Sequence, residues 1–294
     1  MKGISILVGL LLVAGLRISH ASEFRLVPNV SYLEPSRTEK LDLYLPARGP
    51  TDLPTPAVIW IHGKAHDKGD ARERNVCETL AGAGYVCASI NHRPWTTDLR
   101  DIWRNTLDAK NAVRFLRVHA AEYHVDPARI AIFGGSAGGT LAMMVGFTSG
   151  EVKFEPTEPY PGTSSAVSAI GDFYGSFDWF EVPEFKKGLP PMSAPASAAL
   201  HLLEPVTHFS KKSPPILIVQ GKDDPLCDYH QSIELDQMAT EAKVPHELIL
   251  MEHVGHGFDL SSWKGHPLPG DLKSAVLTFL RTYLGPPTVS TSEQ

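Results

Sequence analysis

The chain has 294 residues, with 27 Lys and Arg against 33 Asp and Glu, a formal net charge of −6, and 43% hydrophobic residues. That composition is globular and excludes a disordered or fibrous chain. With no Lys/Arg-rich block the sequence carries no electrostatic footprint for a phosphate backbone, so nucleic acid is not an expected partner.

Lys2 precedes an uncharged, mostly apolar run from Ile4 to Leu16, followed by Arg17-Ile18-Ser19-His20-Ala21 with small residues at −3 and −1 of a cleavage site. Residues 1–21 therefore read as a secretory signal peptide cut after Ala21, which predicts a secreted or periplasmic protein. The run is too short for a membrane span, and the rest of the chain offers none. Three cysteines, Cys77, Cys87 and Cys227, allow one disulfide at most. A Cys77–Cys87 pair is geometrically possible across the Gly82–Gly84 turn, but the preferred expectation is two buried free thiols.

Phe24 to Tyr32 and Lys40 to Leu45 alternate apolar and polar residues with no room between them for a crossover helix, which predicts an antiparallel opening to a sheet. Then strand-length apolar runs alternate with helical patterns. Val58–Ile61 is a strand, Asp70 to Gly82 a helix, Tyr85 to Ile90 a strand, and Leu99 to His124 one long helix. Arg129–Phe133 is a strand and a helix starts at Ala137; strands follow at Ala166 to Tyr174, Ile216–Val219 and Glu247 to Met251, with a closing helix from Asp271 to Leu284. Continuous apolar strands between helices give an α/β class, a mostly parallel sheet covered on both faces. The proline-rich stretch 176–213 reads as a small cap-like insertion over the carboxyl edge of that sheet, residues 22–284 as one domain, and 285–294 as a frayed tail.

Gly134-Gly135-Ser136-Ala137-Gly138-Gly139 lies directly after one predicted strand and directly before a helix. G-x-S-x-G alone is a weak pattern in a chain with 24 glycines, but in that position it reads as a nucleophile elbow. The glycines make room for a serine on a strained turn, and the helix points N–H groups at a developing oxyanion. A serine hydroxyl also requires an imidazole to take its proton and a carboxylate to hold that imidazole. Downstream, at the carboxyl ends of strands where catalytic loops gather, stand Gly221-Lys222-Asp223-Asp224-Pro225 and His253-Val254-Gly255-His256-Gly257-Phe258. Asp224 is the expected acid, with Asp223 the alternative, and His256 the expected base, with His253 a polar residue at the strand exit. The oxyanion hole is expected from the N–H groups of Ala137, Lys64 and Ala65, the last two in the loop His62-Gly63-Lys64-Ala65-His66.

Tyr174, Phe177 and Phe258 are candidate substrate contacts, as are Trp179, Phe180 and Trp263, although aromatic residues in such places more often pack an insertion onto its domain. His62 with His66, and Cys227 with His230, have ligand-like spacing but lack a completing set, so no metal is expected. No G-x-G-x-x-G follows the first strand and there is no G-K-[ST], so no nucleotide cofactor is expected.

Together, His62 to Ala65, Ser89-Ile90-Asn91-His92-Arg93, Val125 to Ile130 leading into the elbow, Asp172-Phe173-Tyr174-Gly175, Pro214 to Leu217 leading into Asp224, and Gly255 to Phe258 resemble α/β-hydrolases. The similarity is to the BD-FAE group and to hormone-sensitive-lipase-like carboxylesterases, from about Phe24 to Leu284. It implies the α/β-hydrolase fold and hydrolysis of carboxylic esters through an acyl-enzyme, with small esters or esterified polysaccharides, carrying acetyl or feruloyl groups, as substrates. Alternatives are a peptidase or aryl amide hydrolase of the same fold, or an inactive binding protein. The family pattern His-Gly-Gly-Gly/Ala-Trp has Lys64 in place of its second glycine and His66 in place of its tryptophan. If that glycine requires positive φ, a lysine costs about 1 kcal/mol and tilts an oxyanion donor. Oligomeric state is not legible.

Overall fold

The computed structural model describes residues 24–47, 53–96, 98–178 and 193–288. Among them, eight strands form one sheet: β1 Phe24–Val30, β2 Leu41–Pro46, β3 Thr55–Ile61, β4 Val86–Ile90, β5 Val125–Gly135, β6 Ala169–Phe173, β7 Ile216–Gly221 and β8 His246–Met251, in the order β1-β2-β4-β3-β5-β6-β7-β8. β1 and β2 pair antiparallel, with Val27 opposite Leu43, and β2 pairs antiparallel with β4. Every other neighbour is parallel, so the carboxyl ends of β3 to β8 open on one edge.

The helices are α1 Ala71–Gly82, α2 Asp101–Val118, α3 Ala120–Tyr123, α4 Ala137–Phe147, α5 Ala194–His201, α6 Pro205–His208, α7 Tyr229–Ala242 and α8 Leu272–Leu284. Period-two strands with apolar residues on both faces explain the two-sided core. Ile59, Ile61, Ile130 and Ile132 face the layer built from α2, α4 and α7, through Ala112, Leu141 and Leu235. Val58, Trp60, Ala131 and Phe133 face α1 and α8, through Leu80, Val276 and Phe279. Each fully buried side chain of this size contributes roughly 1.5–3 kcal/mol, so the central strands β3 and β5 anchor the sheet on both sides.

Three expectations are corrected and one helix is added. The long helix predicted from Leu99 to His124 breaks at His119, which leaves helical geometry at φ −97° and ψ 18°; α3 then stops at His124 in the left-handed region. α7 went unpredicted because its apolar positions, Leu235 and Ala239, make only a narrow stripe, although a parallel β7-to-β8 connection requires a crossover. Cys77 in α1 and Cys87 in β4 form a disulfide rather than two thiols, with Cα atoms 5.2 Å apart. The start of the expected frayed tail is held down: Arg129 Nη1 donates to the Pro286 carbonyl at 3.2 Å and Thr288 Oγ1 to the Pro54 carbonyl at 2.8 Å. The predicted signal peptide, the last six residues, Trp179 and Phe180 lie outside the described residues, as does 179–192 of the insertion.

Candidate active site

Ser136 sits between the carboxyl end of β5 and the first turn of α4, with φ 57° and ψ −125°. This strain is held by close packing that only glycine permits. A Cβ on Gly138 would lie 2.1 Å from the Ile61 carbonyl oxygen, and one on Gly134 2.4 Å from the backbone of Gly138. The Ser136 N–H donates to the Phe173 carbonyl at 2.8 Å, which pins the turn to β6.

His256 lies after β8 and Asp224 after β7, at adjacent strand ends. His256 Nε2 is 2.9 Å from Ser136 Oγ, and its Nδ1 is 2.7 Å from Asp224 Oδ2. Asp224 is buried, and its other oxygen accepts the Leu226 and Cys227 N–H groups at 2.8 and 3.0 Å. Gln220 adds a third donor, Nε2 to Oδ2 at 3.0 Å. Burial pushes the Asp224 carboxyl up, but the His256 hydrogen bond and these backbone donors outweigh it and hold the group below the ordinary carboxylate range. The alternatives stand apart: Asp223 and His253 face each other at 3.6 Å on the exposed surface.

The loop His62–His66 faces the serine, since a Cβ on Gly63 would be 3.3 Å from Ser136 Cβ. Lys64 is not among the residues with positive φ, so the condition under which a lysine would be strained at this position is not met. Ala137 is the first residue of α4, and the Ser136 side chain does not cap the helix. The loop is braced from behind by His62, whose Nδ1 donates to the Gly63 carbonyl at 2.8 Å and whose ring stacks on His92 with centroids 4.4 Å apart. Burial pushes both imidazoles down, His92 to about 4, so the stack is neutral at ordinary pH.

The three candidate substrate contacts are placed elsewhere. Tyr174, Phe177 and Phe258 are all buried and none lines the cleft at Ser136. Tyr174 instead donates to the Phe258 carbonyl at 3.0 Å and meets His256 edge-on. Trp263 also acts from behind: its indole N–H donates to the His256 carbonyl at 3.0 Å. It is presented by the hairpin β9 Ser262–Trp263 and β10 His266–Pro267, whose turn residues Lys264 and Gly265 both have positive φ. The cleft that contains Ser136 has a volume of about 310 Å³ and apolar walls that include Trp95, Leu99, Ile102 and Leu226. The placement of Trp95 five residues beyond the end of β4, at the loaded edge of the sheet, was the available signal for it.

The ligand-like pairs have other partners. His66 bonds Asp70 at 2.8 Å, His230 bonds Asp228 at 2.7 Å, and His62 is turned to Gly63. Cys227 is buried near Asp224 and His256, within 4.8 Å, and burial pushes its thiol up to about 12, which makes it a poor ligand and a poor nucleophile.

A nucleophile elbow, an imidazole and a buried carboxylate in one hydrogen-bonded line agree with what comparison finds. The BD-FAE family model matches residues 41–238. The chain belongs to the BD-FAE family. It is 29% identical over 251 residues to the probable carboxylic ester hydrolase LipM of Mycobacterium tuberculosis, covering 79% of this chain and 56% of LipM. To the esterase LipC of the same organism it is 28% identical over 219 residues, 70% of this chain and 52% of LipC. The chain thus spans about half the length of these curated relatives. A truncated form of a carbohydrate esterase from gut microbiota superposes with a TM-score of 0.66 at 27% identity, covering 80% of this chain and 90% of that one. The BD-FAE chain has the α/β-hydrolase fold.

Proposed function

We propose that this protein is a serine carboxylesterase that cleaves esters through an acyl-enzyme, with acetyl or feruloyl groups on polysaccharides as its substrate class. The observation that carries the proposal is the continuous line from Ser136 Oγ to His256 at 2.9 Å and from His256 to Asp224 at 2.7 Å.

In this mechanism Ser136 Oγ attacks the ester carbonyl while His256 Nε2 takes its proton, and Asp224 holds the Nδ1–H tautomer and the imidazolium that forms. The oxyanion is received by the N–H groups of Ala137, Lys64 and Ala65. Collapse breaks the bond to the alcohol, which leaves with the proton from His256. Water then attacks the acyl-Ser136 carbonyl as His256 takes its proton; the acid departs and the serine is restored. The names of LipM and LipC support ester cleavage, and that of the gut carbohydrate esterase supports a sugar-borne ester. Export with cleavage after Ala21 completes the proposal, supported by the apolar run Ile4–Leu16 and by a disulfide of the kind that persists in oxidising compartments.

The test is hydrolysis of p-nitrophenyl esters from acetate to decanoate by the wild type, Ser136→Ala, His256→Ala and Asp224→Asn. Turnover should vanish in the first two and fall on the order of 10³–10⁴-fold in the third, where the tautomer is reversed. Full turnover in Ser136→Ala would overturn the proposal. A matching p-nitroanilide separates amide cleavage from ester cleavage.

A further inference from the structure

Beside the apolar cleft lies a second, polar cavity of about 390 Å³, and Lys64 and Trp95 line both. The two spaces therefore meet at Lys64, an exposed residue next to Gly63 in the loop that faces the serine. The charges around them are engaged. Glu39 pairs with Arg37 at 2.8 Å, and Asp67 accepts the Gly69 N–H at 2.8 Å and the Asn91 amide at 2.6 Å. Arg93 lies 3.5 Å from Asp108, His66 bonds Asp70, and Asp98 in the apolar wall is held by Arg100 at 2.7 Å and by Arg104. Among the described residues the Lys64 ammonium has no acidic partner or hydrogen-bond acceptor. A cation left unpaired where two substrate-sized spaces join can take its counterion from the substrate, and a neutral ester makes no use of it.

We propose that Lys64 selects esters whose alcohol portion carries a carboxylate, such as short-acyl esters of hydroxy acids or of acidic sugars. This rests on the esterase proposal and sharpens its substrate class. The acyl group fills the apolar cleft with Ser136, and the alcohol portion extends past Trp95 into the polar cavity with its carboxylate against the Lys64 ammonium. The body of the protein, at a net charge of −6, repels such a substrate at long range, so the selection falls to this local contact.

The experiment compares kcat/KM for 4-acetoxybenzoate with that for its methyl ester, each enzyme's neutral ester serving as its own reference. The anionic-to-neutral ratio should fall about fivefold in Lys64→Gln, fall further in Lys64→Glu, and return in Lys64→Arg. Lys273→Gln, on the exposed outer face of α8, should leave the ratio unchanged. In the wild type the ratio should shrink as NaCl is raised from 0.05 to 0.5 M, because an exposed charge contact is screened over that range. A ratio equal in the wild type, Lys64→Gln and Lys64→Glu, with turnover still dependent on Ser136, overturns the selection and leaves the esterase standing. Absence of Ser136-dependent turnover of both esters overturns the esterase proposal and this one with it.

Discussion

The ring of Tyr174 meets that of His256 edge-on, with centroids 4.9 Å apart and planes at 65°, while its hydroxyl donates to the carbonyl of Phe258, two residues along the same loop. One buried side chain thus fixes both the position of the imidazole and the loop that carries it. Tyr174→Phe keeps the ring and removes the donor, which should cost about 1 kcal/mol in urea unfolding. Tyr174→Ala also removes the ring, and kcat should then fall more than tenfold while KM moves little, as expected when a base is misplaced by about an ångström. Equal kcat in both variants and the wild type would show that the contact does not position His256.

The elbow predicts a steep local intolerance. In Gly138→Ala the new methyl would meet the Ile61 carbonyl at 2.1 Å, a backbone atom with no room to retreat. Loss of 3 kcal/mol or more is expected, of order what overpacking and backbone shifts cost together. Gly162, with φ 75° and open space around it, should lose only about 1 kcal/mol as alanine. Chemical denaturation of the two variants side by side checks the contrast.

Asp172 gives a pH dependence with a defined sign. It is fully buried beneath the elbow, and burial pushes its carboxyl up to about 7, against which the Gly175 N–H at 3.0 Å gives partial relief. Its pKa in the folded protein lies above the unfolded value, so the folded state binds the extra proton between about pH 4 and 7. This group's contribution is most favourable below pH 4 and diminishes as pH rises to 7. Asp172→Asn, which keeps an oxygen for Gly175, should therefore gain stability relative to the wild type at pH 8, by up to about 4 kcal/mol, and less at pH 5. Urea unfolding at the two pH values measures it; a difference independent of pH would show that Asp172 does not titrate in this window.

The Cys77–Cys87 disulfide closes a loop between residues ten apart, tying α1 to β4. Its removal by Cys77→Ser with Cys87→Ser should lower stability by about 2–3 kcal/mol, the loop-closure entropy of a short ring. Alkylation of the unfolded, unreduced protein should count one thiol, Cys227; three would contradict the pairing.

The parallel strands were legible as continuous apolar runs between helical patterns and the first two by their alternation, and Ser136, Asp224 and His256 because elbow chemistry leaves glycines at fixed offsets and orders the partners along the chain. Position on the sheet edge did the rest. The aromatic residues were not legible in the same way. Tyr174 and Phe258 read equally well as pocket or as packing, and only the folded chain shows the Tyr174 ring against His256 and Phe258 with its hydroxyl on the Phe258 carbonyl. The cleft walls were hidden for a different reason: Trp95, Leu99, Ile102 and Leu226 come from separate loops and from a helix start, with no spacing that joins them before the sheet does. The expectation of two free thiols failed because adjacency across a turn decides proximity but not oxidation.

Under the esterase proposal the Ser136 hydroxyl is the group that becomes acylated. Reaction with a fluorophosphonate followed by intact-mass and peptide mass spectrometry tests it directly. The wild type should gain one adduct, mapped to Ser136, at a rate that collapses in His256→Ala, and Ser136→Ala should gain none. An adduct mapped to another residue, or one of equal yield in Ser136→Ala, would contradict it.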